Sequence, residues 1–250
     1  MAYTPRTYRT LSNNDRFRYF QVAYRETDLL VGIDKHSFRE DMRLAVLDSV
    51  MELRHQVEEY SLRHPAFLHS HQPVIPHREA PAIVHEMCMA AQEAGVGPMA
   101  AVAGAFARNV AVRLREKYKP CDLVIENGGD IFIMVSEPVH IPVFAGPSVL
   151  SGRVGLEINT MGEEAGICTS SGSHGHSFSY GKADAAMIVA HDCALADAYA
   201  TAYCNMINNA EDMEEAIHRA KENRYIDTAL FILNDRMAYH GKYKLCFFTQ

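Results

Sequence analysis

The stretch Leu123-Val124-Ile125-Glu126-Asn127-Gly128-Gly129-Asp130-Ile131-Phe132-Ile133-Met134 decides the fold. Two short apolar runs flank Asn-Gly-Gly-Asp, and paired glycines accept the positive φ that a tight reversal requires. The segment therefore reads as two antiparallel strands joined by a turn. The same turn presents backbone amides to an incoming phosphate, so Gly128, Gly129 and Asp130 have two readings, an ordinary hairpin or an anion nest.

Working outward, further strands are expected over 153–158, 166–169 and 183–190, and an N-terminal hairpin over 18–24 and 28–33 around Arg25-Glu26-Thr27. From His36 to about Arg63 apolar residues recur at helical spacing, with Asp34 or Ser37 as the cap. Pro65, Pro73 and Pro76 make 64–79 an irregular loop. Helices follow over 81–94, 108–118, 193–208 and 211–223. Segments 228–233, 237–240 and 243–248 close the chain as a small antiparallel set. Strands and helices come in uneven runs, which favours an α+β fold with mixed or antiparallel sheets flanked by helices over a doubly wound parallel sheet. Residues 1–250 read as one domain, or two intertwined subdomains, with the chemistry-bearing motifs in 97–207.

Composition narrows the function. The chain has 250 residues, 48% of them hydrophobic, enough for a substantial core. The formal charge of −7 is interspersed and offers no basic face for a phosphate backbone, so nucleic acid is excluded as the expected partner. No apolar run approaches the roughly 20 residues that span a bilayer, and the start is polar and aromatic, so a cytoplasmic protein is expected. Six dispersed cysteines lack the spacing of a zinc or redox pair and read as buried thiols.

Three segments carry candidate chemistry besides the Gly-Gly turn. In Ala196-Asp197-Ala198-Tyr199-Ala200-Thr201, Asp197 and Thr201 are four apart on one helical face, and both offer hard oxygens suited to Mg²⁺ with a ligand phosphate. The alternative is that Asp197 caps or pairs while Thr201 bonds back to its own helix. Thr169-Ser170-Ser171-Gly172, continuing through His174 and His176, exposes short donors suited to phosphate or ribose, or forms a plain surface loop. The small residues of 97–107 allow close approach to another backbone or to a ligand.

Taken in order, the small-residue helix, Gly-Gly-Asp, Thr-Ser-Ser-Gly and Ala-Asp-Ala-X-X-Thr resemble the ApbE flavin transferase superfamily over roughly 97–207. Tyr24-Arg25-Glu26-Thr27-Asp28-Leu29 and the segment from His176 to Ala185 are similar to its non-lipoprotein branch, which has no settled activity. The resemblance implies a fold that binds FAD, uses Mg²⁺ on its diphosphate, and transfers FMN to a protein threonine or hydrolyses FAD to FMN and AMP. It implies that Gly128, Gly129 and Asp130 line the flavin pocket and that Asp197 and Thr201 ligate Mg²⁺. Thr169, Ser170, Ser171 and Gly172 match a Thr-Ser-Gly element, and His176 stands where the family has a histidine, the candidate acid or base. The chain also departs from the pattern: Gly104 stands at a lysine position, Pro98 near an acidic one, and an Asp-Pro-X-Thr-Gly run is missing. The expectation is a flavin- or nucleotide-binding protein with phosphoanhydride chemistry. The alternatives are a binding module without transfer, or an enzyme for another small acidic or phosphorylated metabolite. A homodimer is the base-rate oligomer. His64, His69, His71 and His77 match no ligand spacing and read as exposed loop residues.

Overall fold

The computed structural model describes residues 15–172 and 181–248. Its centre is an eight-stranded sheet of β1 (Phe17–Tyr24), β2 (Thr27–Asp34), β3 (Leu123–Asn127), β4 (Asp130–Met134), β7 (Ala165–Ser170), β8 (Ala185–Ala190), β9 (Ile226–Leu233) and β10 (Arg236–Gly241) in that spatial order. Every neighbouring pair is antiparallel. A three-stranded sheet has β6 (Val154–Ile158) between β5 (Val139–Pro142) and β11 (Lys244–Phe247).

Strand alternation sends side chains to two separate cores. Ala186, Ile188, Ala229 and Phe231 face the helices, whereas Met187, Val189, Leu230 and Ile232 face the three-stranded sheet and meet Val139, Leu156 and Ile158. Strands buried on both faces read as continuous apolar runs, which is why 185–190 and 228–233 show little alternation.

The helices are α1 (Met42–Arg63), α2 (Pro65–His69), α3 (Ala82–Ala94), α4 (Val102–Tyr118), α5 (Cys193–Met206) and α6 (Ala210–Glu222), with a 3₁₀ turn over Pro98–Ala101 leading into α4. α5 is apolar almost all round because it packs on β7 and β8 and against α3 and α4.

Four sequence expectations need correction. First, α1 starts at Met42, not His36, because Asp34 does not cap it. Its Oδ1 accepts from the Ser37 amide at 2.9 Å, and its Oδ2 accepts from the Cys121 and Asp122 amides at 3.0 and 3.2 Å, tying β2 to the start of β3. Second, the closing segments are not one small set: β9 and β10 extend the large sheet, and only β11 joins the small one. Third, the proline-rich loop contains α2, and its His64 ring stacks on Tyr60 at 4.3 Å and on His77 at 5.7 Å. Fourth, Cys88, Cys168, Cys193 and Cys204 are buried, but Cys121 is exposed and Cys246 half-buried.

Burial works to raise the Asp34 carboxyl, but hydrogen bonds from the Ser37 side chain and from the Asp122, Ser37 and Cys121 amides outweigh it, so it titrates below its ordinary value. A lowered folded value means a stabilising contribution present above the ordinary aspartate range and lost as pH falls through the folded one. Asp34→Ala, which takes a carboxylate acceptor away from the Ser37, Cys121 and Asp122 amides, is expected to cost about 2 kcal/mol near neutrality. Urea midpoints should show that cost shrinking in acid; a pH-independent cost would assign it to packing instead.

Candidate functional site

The site is built where the N-terminus of α4 meets α5 and the β3–β4 turn. Asp197, one turn into α5, is buried, and its Oδ2 accepts from the Gly104 amide at 2.9 Å. Gly104 is the third residue of α4, so this carboxyl caps a helix other than its own, where unpaired amides and the helix dipole favour an anion. Asn127 Nδ2 donates to the Ala103 carbonyl at 3.1 Å, fixing the end of β3 to the same helix start.

Asp130, the first residue of β4, is also buried. Burial, and next the charge of Asp130, push the Asp197 carboxyl well above its usual range, with hydrogen bonds from the Gly104 and Ala103 amides opposing them. A buried carboxyl raised by burial and by the charge of a second buried carboxyl calls for a proton or a cation. The Thr201 hydroxyl, a turn beyond Asp197, lies 3.4 Å from Ser170 Oγ. Four sequence-chosen residues, Asp130, Ser170, Asp197 and Thr201, thus lie together.

The other candidates fall differently. Asn127 and Asp130 pair across the two-residue turn, and Gly128 and Gly129 have φ of 73° and 109°, as a primed hairpin turn requires. The Gly129 amide donates to Glu126 Oε1 at 2.9 Å, so the chain's own carboxylate already occupies that arm of the nest. Thr169 pairs with Met187 and alternates away from Ser170, on the face towards the three-stranded sheet. The Gly172 amide donates to the Ala183 carbonyl at 2.9 Å, while Ser171 is half-buried beside it. His176 lies outside the described residues.

Of the two readings of the small residues over 97–107, close approach to another backbone is the one the structure shows at Gly104. A Cβ added at Gly104 would lie 2.2 Å from the Cys193 carbonyl oxygen and 2.9 Å from Asp197 Cβ, and one at Gly166 would lie 2.3 Å from Cys193 Cα. Cys193 is therefore clamped between α4 and β7, with its Sγ 3.8 Å from Cys168 Sγ. The small residues of 97–107 serve helix-to-helix contact, and a lysine has no room at position 104. Arg108, which the sequence reading missed, bridges Glu86, Glu164 and the α5 cap Asp192 at 3.4, 3.3 and 3.1 Å. Its signal was the first cation to follow the run of mostly small residues over 97–107.

Residues 9–229 match the family model described as AbpE bacteria. The UPF0280 protein of Methanocaldococcus jannaschii is 36% identical over 227 residues, covering 89% of this chain and 90% of that protein. The UPF0280 protein of Methanocella arvoryzae is 37% identical over 218 residues, covering 87% and 86%. The fold is shared with the ApbE protein of Thermotoga maritima (TM-score 0.60, 12% identity, 89% of this chain and 96% of that one). It is shared also with the flavinyl transferase ApbE of Pseudomonas stutzeri (TM-score 0.56, 10% identity, 90% and 93%). The chain belongs to the AbpE bacteria family, which bears out the ApbE resemblance and the α+β class with antiparallel sheets. Among the described residues no helix is long and apolar enough to cross a membrane.

Proposed function

We infer that this chain, a member of the AbpE bacteria family, binds a flavin nucleotide, FAD or FMN, together with Mg²⁺ at the Asp130–Asp197 pair, and presents the phosphoanhydride of FAD for cleavage or transfer. The observation that carries the reading is the buried pair of carboxyls at the start of α4, whose mutual repulsion a divalent cation would relieve. The donor set suits Mg²⁺: hard carboxylate and hydroxyl oxygens from Asp130, Asp197 and Thr201, with substrate phosphates and waters to complete the octahedron. When bound, the cation would neutralise charge developing on the diphosphate.

The chain's own residues orient and hold. Asp197 is fixed by the Gly104 amide, Asp130 by its place at the hairpin, and the Ser170 and Thr201 hydroxyls stand ready to donate to ligand oxygens. The clamp around Cys193 keeps these groups in register with little freedom to reorganise.

A second reading, binding without turnover, is favoured by position 104. The ApbE transferases carry a lysine there by resemblance, whereas this chain packs Gly104 against the Cys193 carbonyl and supplies no such cation.

Calorimetric titration of ligand-stripped protein with FAD, FMN and AMP, with and without Mg²⁺, followed by chromatography for FMN and AMP, separates the readings. Mg²⁺-dependent FAD binding with AMP release is expected of the enzyme, and binding without release of the module. If none of the three nucleotides binds, the flavin assignment falls.

A further inference from the structure

A second cluster of ligating side chains lies on the far side of the molecule, on the outward face of the three-stranded sheet. There β5 places His140 opposite Glu157 of β6, and β11, on the other flank of β6, places Cys246 opposite Gly155. Gly155 has no side chain, and the Phe248 ring lies over it, edge-on to His140 with ring centroids 6.1 Å apart, forming an apolar wall to the cluster. His140 Nε2 is 3.2 Å from Glu157 Oε2, and the imidazole nitrogen, carboxylate oxygen and thiol sulfur all lie within 4.8 Å of one another.

We propose that His140, Glu157 and Cys246 form a three-ligand site for a borderline-soft divalent cation, Zn²⁺, that fastens the C-terminal strand to β5 and β6. The donors are one nitrogen, one oxygen and one sulfur, the set zinc accepts. With zinc bonds of about 2.0–2.3 Å, tetrahedral ligands sit roughly 3.4–3.6 Å apart, so the present spread closes with movements of about 1 Å. The three backbones are held by strand pairing, so only side-chain rotamers need ordering. The thiol's hydrogen bond, to the Lys244 carbonyl at 3.8 Å, is a weak one that a metal bond would replace. Lys244 faces Glu157 across the register and is exposed, so its ammonium moves off into solvent when the cation arrives. A fourth position is left for water.

The eight-stranded sheet separates this cluster from Asp197, and the proposal does not depend on the flavin reading. The test uses the full-length, untagged, reduced and chelator-treated protein titrated with Co²⁺ alone and then Zn²⁺. One equivalent of Co²⁺ should produce a thiolate charge-transfer absorption that Zn²⁺ abolishes by displacement. Cys246→Ser should remove that absorption, His140→Ala should weaken binding at least about 10-fold, and Asp197→Asn should leave it unchanged. Saturating Zn²⁺ should raise the Tm of the parent protein and not that of Cys246→Ser. Absence of stoichiometric Co²⁺ binding overturns the proposal. So does absorption that persists in Cys246→Ser, since the thiolate would then be another cysteine such as the exposed Cys121.

Discussion

Asp197→Asn is expected to weaken Mg²⁺-dependent nucleotide binding by more than about 100-fold, beyond what loss of an outer-shell partner costs, while raising the Tm of the metal-free protein. The two effects have opposite signs for one reason. Burial, then the Asp130 charge, push the Asp197 carboxyl well above its ordinary value. The metal-free folded state therefore holds that proton more tightly than the unfolded chain does. Its stabilising contribution is complete below the ordinary aspartate range and is lost as pH rises through the raised folded value. Asparagine keeps an oxygen for the Gly104 amide, removes the charge and so removes this slope. At a pH where the parent carboxyl is ionised, a gain of about 1 kcal/mol would appear as roughly 2–4 °C in a chain of this size. Saturating Mg²⁺ should offset the slope in the parent and do nothing for the variant. Thermal melts across pH, with and without Mg²⁺, read both effects. Unchanged Mg²⁺-dependent nucleotide binding in the variant would sink the site assignment.

Gly104→Ala should lower stability by about 3 kcal/mol, the upper end of what an inserted methyl costs in a packed interior. The new Cβ would meet the Cys193 carbonyl at 2.2 Å, a backbone group that cannot rotate away, so α4 and α5 must separate. Separation also stretches the 2.9 Å bond from the Gly104 amide to Asp197, so nucleotide binding and stability should fall together. Gly104→Lys, which installs the residue of the ApbE transferase pattern, should fail to fold rather than gain transfer activity. Urea midpoints measure the first variant; a cost below about 1 kcal/mol would mean the helices yield easily and that position 104 belongs to the pocket after all.

The elements were legible where their signal is local. The Gly128-Gly129 turn lies between apolar runs, the hairpin around Arg25-Glu26 has strong strand residues on both sides, and α5 and α6 begin at Asp192 and Asn209, side chains that accept from their own helix amides at 3.0 and 2.9 Å. The family motifs are equally local, since Asp197 and Thr201 are four residues apart on one helix. β5 went unseen because Val139-His140-Ile141-Pro142 is short and ends in proline, which only an edge strand tolerates.

By itself, then, the sequence determined the α+β class, most of the elements and the family to which the chain belongs, because periodicity, turn chemistry and motif spacing act between residues near one another. Only the tertiary structure decided which of those residues meet. Gly104 and Asp197 are 93 positions apart, and Asp34 and Cys121 are 87 apart. Such partners are chosen by how sheet and helices close on a shared core, and no local pattern encodes that choice. The same closure decided between the two readings of the small-residue helix, pressing it on the Cys193 backbone, and carried β11 away from its sequence neighbours to the second sheet.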